Sequence, residues 1–304
     1  MITMVTTQAT SRFGRETATG ARLLTGAVTI ASAFFLAFFL AAPTAQAEKA
    51  QDQATSASEE AASGVALMEA TGLDVVLKLV EEGVQAQVRD SGGDHSQTAI
   101  EFAADAFDGD ALTQAVAKDI DALPAETREA VSAFYASETG SKLAAMEREI
   151  NLALGEESSE LAKLVLTEGG KLKDDETFGP LVKSVRRDGG SLAFNDSTLR
   201  VTTYALLVGV GDLRDVQDQT VIDEKIDGEL KGIWELIHDF DDSAYAYGFR
   251  EASAEELDAY GAFYRTEAGA AFVEVARASV RRRLDAASKD FELRLRNPGK
   301  KTKS

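Results

Sequence analysis

Two stretches of the sequence match one another: Pro124-Ala-Glu-Thr-Arg-Glu-Ala-Val-Ser-Ala-Phe-Tyr-Ala-Ser-Glu-Thr-Gly140 and Ser253-Ala-Glu-Glu-Leu-Asp-Ala-Tyr-Gly-Ala-Phe-Tyr-Arg-Thr-Glu-Ala-Gly269. Windows 124–143 and 253–272 agree at eight of twenty positions without a gap. Agreement at a constant offset indicates an internal repeat, in which each copy forms one structural unit. The fold is therefore expected to be built around two copies of one motif.

Each copy predicts two helices joined by a tight elbow. Ser137 and Thr266 stand where they can cap the second helix. Gly140 and Gly269 are expected to let another helix approach closely. The elbow itself would be filled by aromatic side chains, and each copy would bury at least one of its two rings in its own bundle. The rings are Phe134 and Tyr135 in the first copy, and Phe263 and Tyr264 in the second.

The sequence around the two copies is also helical in pattern. Apolar residues recur at helical spacing from Val65, with an expected break at Gly72, and again on both sides of Asp108-Gly109-Asp110. Ser253 and Glu256 form a capping box at the start of the second copy. A long helix is predicted from Leu213 to about Phe240, ended by Asp239-Phe-Asp-Asp.

Strand patterns are missing, because apolar and polar residues never alternate over a sustained run. The sequence therefore predicts an all-α fold of two pseudo-repeated antiparallel helical bundles. The predicted segments are a signal peptide 1–47, a flexible leader 48–63, a first helical unit 64–156, a helical connector 157–198, a second helical unit 199–297 and a basic tail 298–304.

The N-terminal segment has the features of an export signal. Three arginines precede an apolar run from Leu23 to Ala42, and Ala45-Gln46-Ala47 fits a signal-peptidase site. Cleavage after Ala47 predicts a periplasmic or secreted protein. The apolar run is also about long enough to span a bilayer, so an inner-membrane anchor at residues 23–42 is the alternative. With no cysteine in the chain, neither disulfides nor a lipidated cysteine can contribute.

Charge is distributed unevenly. Without residues 1–47 the chain has 29 Lys+Arg and 50 Asp+Glu, a net charge of −21. Such an acidic protein repels polyanions, which argues against nucleic acid as a partner. Residues 277–304, however, hold ten basic and three acidic residues, leaving −28 on the remainder.

The repeated motif resembles the DUF2059 family of exported bacterial helical proteins. The resemblance rests on Phe134-Tyr135-Ala-Ser137-Glu-Thr-Gly140 and Phe263-Tyr264-Arg-Thr266-Glu-Ala-Gly269. It implies an exported α-helical bundle and no established activity. This chain has Glu138 and Glu267 where family members commonly have proline.

The basic C-terminal helix is the strongest candidate for a binding surface. An apolar stripe through Val280, Leu284 and Phe291 leaves the arginines on other faces. They would either pair with acidic residues of the same chain or bind anionic lipid or an acidic partner: Arg281, Arg282, Arg283, Arg294 and Arg296. Deleting the residues after Asp290 is expected to change stability by only about 1 kcal/mol.

Signals for catalysis or metal binding are weak. Tyr135 with Glu138, and Tyr264 with Glu267, could form acid–base pairs, but nothing supplies a nucleophile or an oxyanion site. His95 and His238 lack companion ligands, so no metal site is expected. No cofactor is expected either. The sequence favours a non-enzymatic interaction or structural protein of the bacterial envelope with an unknown partner. The alternatives are a peripheral binder of anionic membranes and a carboxylate-based metal-dependent hydrolase.

Overall fold

The computed structural model describes residues 62–297, apart from 91–95, 154–158, 192–197, 202, 205–206, 208–217 and 232–233. All regular secondary structure in these residues is helical, which confirms the predicted all-α class. The predicted signal peptide 1–47, the leader up to residue 61, the basic tail 298–304 and His95 lie outside the described residues. In the described ranges, no helix is both long and apolar enough to cross a membrane.

The first part of the chain is a succession of helices separated by short turns. These helices are α1 Gly64–Thr71, α2 Leu73–Asp90, α3 Ser96–Ala106, α4 Gly109–Asp121, α5 Ala125–Ala136 and α6 Glu138–Ala153. The break predicted at Gly72 is confirmed, because this residue ends α1 with a φ of 73°. The break at Asp108 is also confirmed, since its carboxylate caps α4 by accepting from the Ala111 N–H at 2.8 Å.

The second part continues with helices. They are α7 Ser159–Leu164, a π-helical turn Val165–Gly169, α8 Gly170–Lys173, α9 Phe178–Asp188, α10 Gln219–Lys231, α11 Trp234–Gly248, α12 Ala254–Tyr264 and α13 Glu267–Arg296. The predicted capping box is confirmed at the start of α12: Glu256 N–H donates to Ser253 Oγ, and Ser253 N–H donates to the Glu256 carboxylate.

The predicted end of the helix at Asp239-Phe-Asp-Asp is wrong, because α11 runs through these residues to Gly248. Tertiary contacts explain the difference. Asp241 and Asp242 both pair with the buried guanidinium of Arg186 on α9. Tyr245, one turn farther on, is buried in the core. Because Asp241 and Asp242 are paired with Arg186, the helix continues through them. Solvated carboxylates at these positions would favour a helix end.

Both motif copies form the predicted helix–elbow–helix, α5 with α6 and α12 with α13. The predicted caps are confirmed: Gly140 N–H donates to Ser137 Oγ at 3.1 Å, and Gly269 N–H donates to Thr266 Oγ1 at 3.0 Å. Each hydroxyl also donates to a carbonyl of the preceding helix. One short side chain thus ties the end of one helix to the beginning of the next.

The two motif glycines serve the elbow itself. A Cβ on Gly140 would lie 2.0 Å from the carbonyl oxygen of Phe134, and one on Gly269 would lie 2.2 Å from that of Phe263. The expected close approach of another helix to these glycines is therefore confirmed. The close neighbour is the last turn of the preceding helix in the same elbow.

Helices of the two predicted units pack against one another. The second-unit helix α13 lies along α3, α4 and α5, and the first-unit helix α6 lies against α11 and α12. One hydrophobic cluster accordingly contains Leu67, Phe107 and Val131 together with Leu257 and Phe272. The predicted division into two bundles is not confirmed, because each elbow sends its second helix onto the other unit. Helix α9, in the predicted connector, joins the same core.

Candidate functional site

The two elbows meet at their aromatic residues. The rings of Phe134 and Phe263 stack with centroids 3.8 Å apart and planes within 3°. The hydroxyls of Tyr135 and Tyr264 form a hydrogen bond of 3.0 Å. Each aromatic residue of one copy therefore contacts its counterpart in the other. Phe134 is partly buried and the other three are buried. They pack across the junction between copies, rather than in two separate bundles as expected.

Glu147 lies beside this junction on α6. Its Oε2 accepts a hydrogen bond from the Tyr260 hydroxyl of α12 at 2.9 Å. Burial raises the pKa of this carboxyl to about 7, although the Tyr260 hydrogen bond and the charge of Arg186 oppose the rise. The side chain keeps some solvent contact, but the surrounding protein atoms make ionisation costly. Glu147 can therefore change its charge near neutral pH.

Arg186 supplies a deeply buried positive charge. It is 1% exposed, and its guanidinium lies 4.7 Å from the ring centroid of Tyr245. Nη2 is 3.6 Å from Asp241 Oδ2, and Nη1 is hydrogen bonded to Asp242. Two carboxylates of α11 therefore hold the guanidinium, and they compensate for removing it from water.

A cavity of about 110 Å³ adjoins these groups. We call it the central cavity. It is bordered by residues of α2, α5, α6, α11, α12 and α13. Its polar lining includes Tyr135, Glu147, Arg148, Asn151, Asp241, Tyr245 and Tyr264. Its apolar lining includes Val76, Leu199, Ile237, Phe272, Val273 and Ala276.

The buried tyrosines of this region are poor acids. Burial is the main cause that raises the pKa of Tyr135, Tyr260 and Tyr264, so their hydroxyls stay protonated at physiological pH. The alternative of acid–base pairs between Tyr135 and Glu138, or between Tyr264 and Glu267, gains no support. Tyr135 is bonded to Tyr264, and both glutamates are exposed at the first positions of α6 and α13.

The basic residues of α13 mostly contact acidic residues of the same chain. Asp119 on α4 accepts from Arg282 at 2.7 Å and from Arg283 at 3.0 Å. Arg294 pairs with Asp105 at 2.8 Å and with Asp290 at 2.7 Å. Arg296 pairs with Glu292 one turn earlier. Arg281 is exposed. The five predicted binding arginines thus do not converge on one surface site.

The remaining candidates do not assemble a metal centre. His238 packs edge-on against Trp234, with ring centroids 4.9 Å apart. In the part of the chain that the structure describes, no group of three or more His, Cys, Asp or Glu side chains could hold a metal ion.

The sequence pattern did not predict a role for the buried polar groups Glu147 and Arg186. A signal for both was present. Glu147 lies between Leu143 and Ile150 on the predicted apolar face of its helix, and Arg186 follows Val182 at helical spacing. An ionisable residue on an apolar stripe indicates a buried charge that needs a partner. The sequence did not show that Tyr260 and Tyr245 would be the groups that meet these charges.

Comparison of the chain with protein-family models, with curated proteins and with solved structures gives no match.

Proposed function

We propose that this chain is an exported, non-enzymatic helical protein of the bacterial envelope that acts by binding a partner, as the resemblance of its motif to the DUF2059 family suggests. The observation that carries the proposal is the junction of the two elbows. The aromatic motif residues interact with one another across this junction. The rings of Phe134 and Phe263 stack, and the hydroxyls of Tyr135 and Tyr264 form a hydrogen bond. They are therefore best explained as residues that fix the arrangement of the helices.

The polar groups near the junction support a binding role over catalysis. Tyr135 and Tyr264 have raised pKa values, so neither hydroxyl is suited to act as a base or nucleophile. The Glu147 carboxyl, whose pKa is about 7, accepts a hydrogen bond from the buried Tyr260 hydroxyl. Arg186 is held by Asp241 and Asp242. Groups that pair with one another in this way hold the helices in place. We therefore propose that partner binding takes place on the outer surface.

Export is proposed from the sequence of residues 1–47. Expression of the full chain in a bacterium, followed by fractionation and N-terminal sequencing, tests it. A periplasmic or secreted product that begins at Glu48 supports export with cleavage. A product that keeps residues 23–42 and stays with the inner membrane supports the anchor instead. A cytoplasmic product with an intact N-terminus contradicts the proposal.

The enzymatic alternative is a carboxylate-based, metal-dependent hydrolase. A thermal-shift series with Mg²⁺, Ca²⁺, Mn²⁺ and Zn²⁺ separates it from the proposal. We expect no large stabilisation specific to one metal. A large stabilisation that disappears when buried carboxylates are replaced would overturn the non-enzymatic function.

Binding to an anionic membrane surface is the second candidate, because Arg277, Arg281 and Lys289 are exposed on α13. Sedimentation with phosphatidylserine-containing vesicles at low salt tests it. The candidate requires binding that falls as salt rises and that Arg281→Glu with Lys289→Glu abolishes. If the unaltered chain does not sediment with these vesicles, the membrane-surface candidate is rejected.

A further inference from the structure

Glu147 differs from the other charged groups around the central cavity, because they are already paired. Arg186 is held by Asp241 and Asp242, and Arg148 lies 3.5 Å from Asp74 Oδ2. For Glu147, the described residues provide the Tyr260 hydroxyl as a donor and no ion-pair partner. A carboxylate surrounded by protein and lacking a counter-ion is costly to ionise. A cation in the cavity would remove that cost.

The rest of the lining suits a cation with a short apolar body. Tyr135, Tyr245 and Tyr264 are among the lining residues, and aromatic rings attract cations electrostatically. Ile237 and Phe272 are among the apolar residues on the same lining. An anion would meet the unpaired Glu147 carboxylate, whereas a neutral apolar molecule would leave it without a partner.

The volume of the cavity favours a small ligand. A cavity of roughly 150 Å³ binds benzene, so about 110 Å³ accommodates about four or five heavy atoms. From the unpaired carboxylate, the tyrosines and this volume, we propose that the central cavity binds a small protonated alkylamine with Glu147 as its counter-ion. This site goes beyond the proposed envelope function and does not depend on export or on a protein partner.

The proposal makes binding depend on pH through Glu147. Several titratable or charged groups line the cavity, act on the charge of Glu147 or pair with such a group. They are Asp74, Tyr135, Arg148, Arg186, Asp241, Tyr245, Tyr260 and Tyr264. Alkylamines stay protonated near neutral pH, as lysine does. The tyrosines keep their protons there too. Glu147 is therefore the group whose ionisation should strengthen binding between pH 6 and pH 8.

The test uses n-propylammonium chloride as the probe and the purified full chain. Binding is measured by ligand-observed NMR at pH 6 and pH 8, with ionic strength matched by NaCl. A ligand of four heavy atoms reaches a Kd on the order of 10⁻⁵ M at best, so the titration extends into the millimolar range. We expect saturable binding that is at least about fivefold tighter at pH 8, and much weaker binding of 1-propanol, which has the same number of heavy atoms.

The critical variant is Glu147→Gln, which keeps an acceptor for Tyr260 and removes the charge. We expect it to weaken n-propylammonium binding at least about tenfold and to abolish the pH dependence. Glu149→Gln, an exposed change on the same helix, is the matched control and should bind normally. Equal affinity of Glu147→Gln and the unaltered chain, or equal binding of 1-propanol, overturns the proposal. If Glu147→Gln does not fold, the unaltered chain alone provides the test. Binding of n-propylammonium that is equally tight at pH 6 and pH 8 would then overturn the proposal.

Discussion

The hydroxyls of Tyr135 and Tyr264 are 3.0 Å apart, although the two residues are separated by 129 positions in the chain. That separation equals the offset between the two matching stretches. The same offset joins Phe134 and Phe263, whose rings stack. Contacts between equivalent residues are the hallmark of a twofold arrangement. Equivalent residues of the two elbows therefore contact one another where the elbows meet.

The tyrosine pair should behave as one unit in mutagenesis. Tyr135→Phe or Tyr264→Phe alone leaves a buried hydroxyl without its partner, which costs about 1–3 kcal/mol. The double variant removes both hydroxyls and should be closer to the unaltered protein than the sum of the single variants. Urea unfolding of the four proteins measures this coupling. Tyr247→Phe, which leaves the pair intact, is the control. Strict additivity would contradict the paired arrangement.

The motif glycines should tolerate no side chain. In Gly140→Ala and Gly269→Ala, the new methyl would lie 2.0 and 2.2 Å from a backbone carbonyl oxygen, and the elbow must open to relieve the clash. We expect each change to lower the free energy of unfolding by about 1–3 kcal/mol. Gly228→Ala on α10 is the control, because a methyl group added there would have no neighbouring atom within 4 Å. It should stabilise by up to about 1 kcal/mol.

Local features of the fold could be predicted from the sequence. The breaks at Gly72 and Asp108 and the caps at Ser137, Ser253 and Thr266 lie where the residue types required them. These features depend on a few neighbouring residues and on backbone hydrogen bonding. For the same reason they are insensitive to the way in which the helices finally pack.

The tertiary arrangement could not be predicted in the same way. Patterning shows that a helix has an apolar face but does not say which helix covers it. The pattern places α6 in the first unit and α13 in the second, whereas each of them packs against helices of the opposite unit. The continuation of α11 through Asp241 depended on Arg186, a residue distant in sequence. The candidate site depends on such pairings, so its residues were mostly missed.

Truncation of α13 should destabilise the protein more than the sequence suggested. Deleting residues 291–304 removes Phe291, which is fully buried and lies edge-on to Phe107 with centroids 6.1 Å apart. We expect a loss of about 3–5 kcal/mol, as for other buried aromatic residues, in place of the expected value of about 1 kcal/mol. Deleting only 298–304 is the matched control and should change stability by less than about 0.5 kcal/mol. Urea unfolding compares them, and equal stabilities would refute the role of Phe291.

The ionisation of Glu147 should make the whole fold sensitive to pH. Its pKa is raised from 4.5 to about 7 in the folded protein, so the folded state holds this proton more tightly than the unfolded state does. The resulting stabilisation is complete below the unfolded value of 4.5 and is lost as the pH rises through about 7. The full effect is about 3 kcal/mol.

Glu147→Gln should therefore remove a fall in stability between pH 5 and pH 8. We expect the free energy of unfolding of the unaltered chain to decrease over this range, while the variant, whose side chain resembles the protonated glutamate, stays nearly constant. Urea unfolding at pH 5, 6, 7 and 8 measures both curves. Glu149→Gln changes the net charge equally but lies at an exposed position, so it should keep the slope of the unaltered chain. Parallel curves for Glu147→Gln and the unaltered chain would show that Glu147 ionises as freely in the folded protein as in the unfolded one.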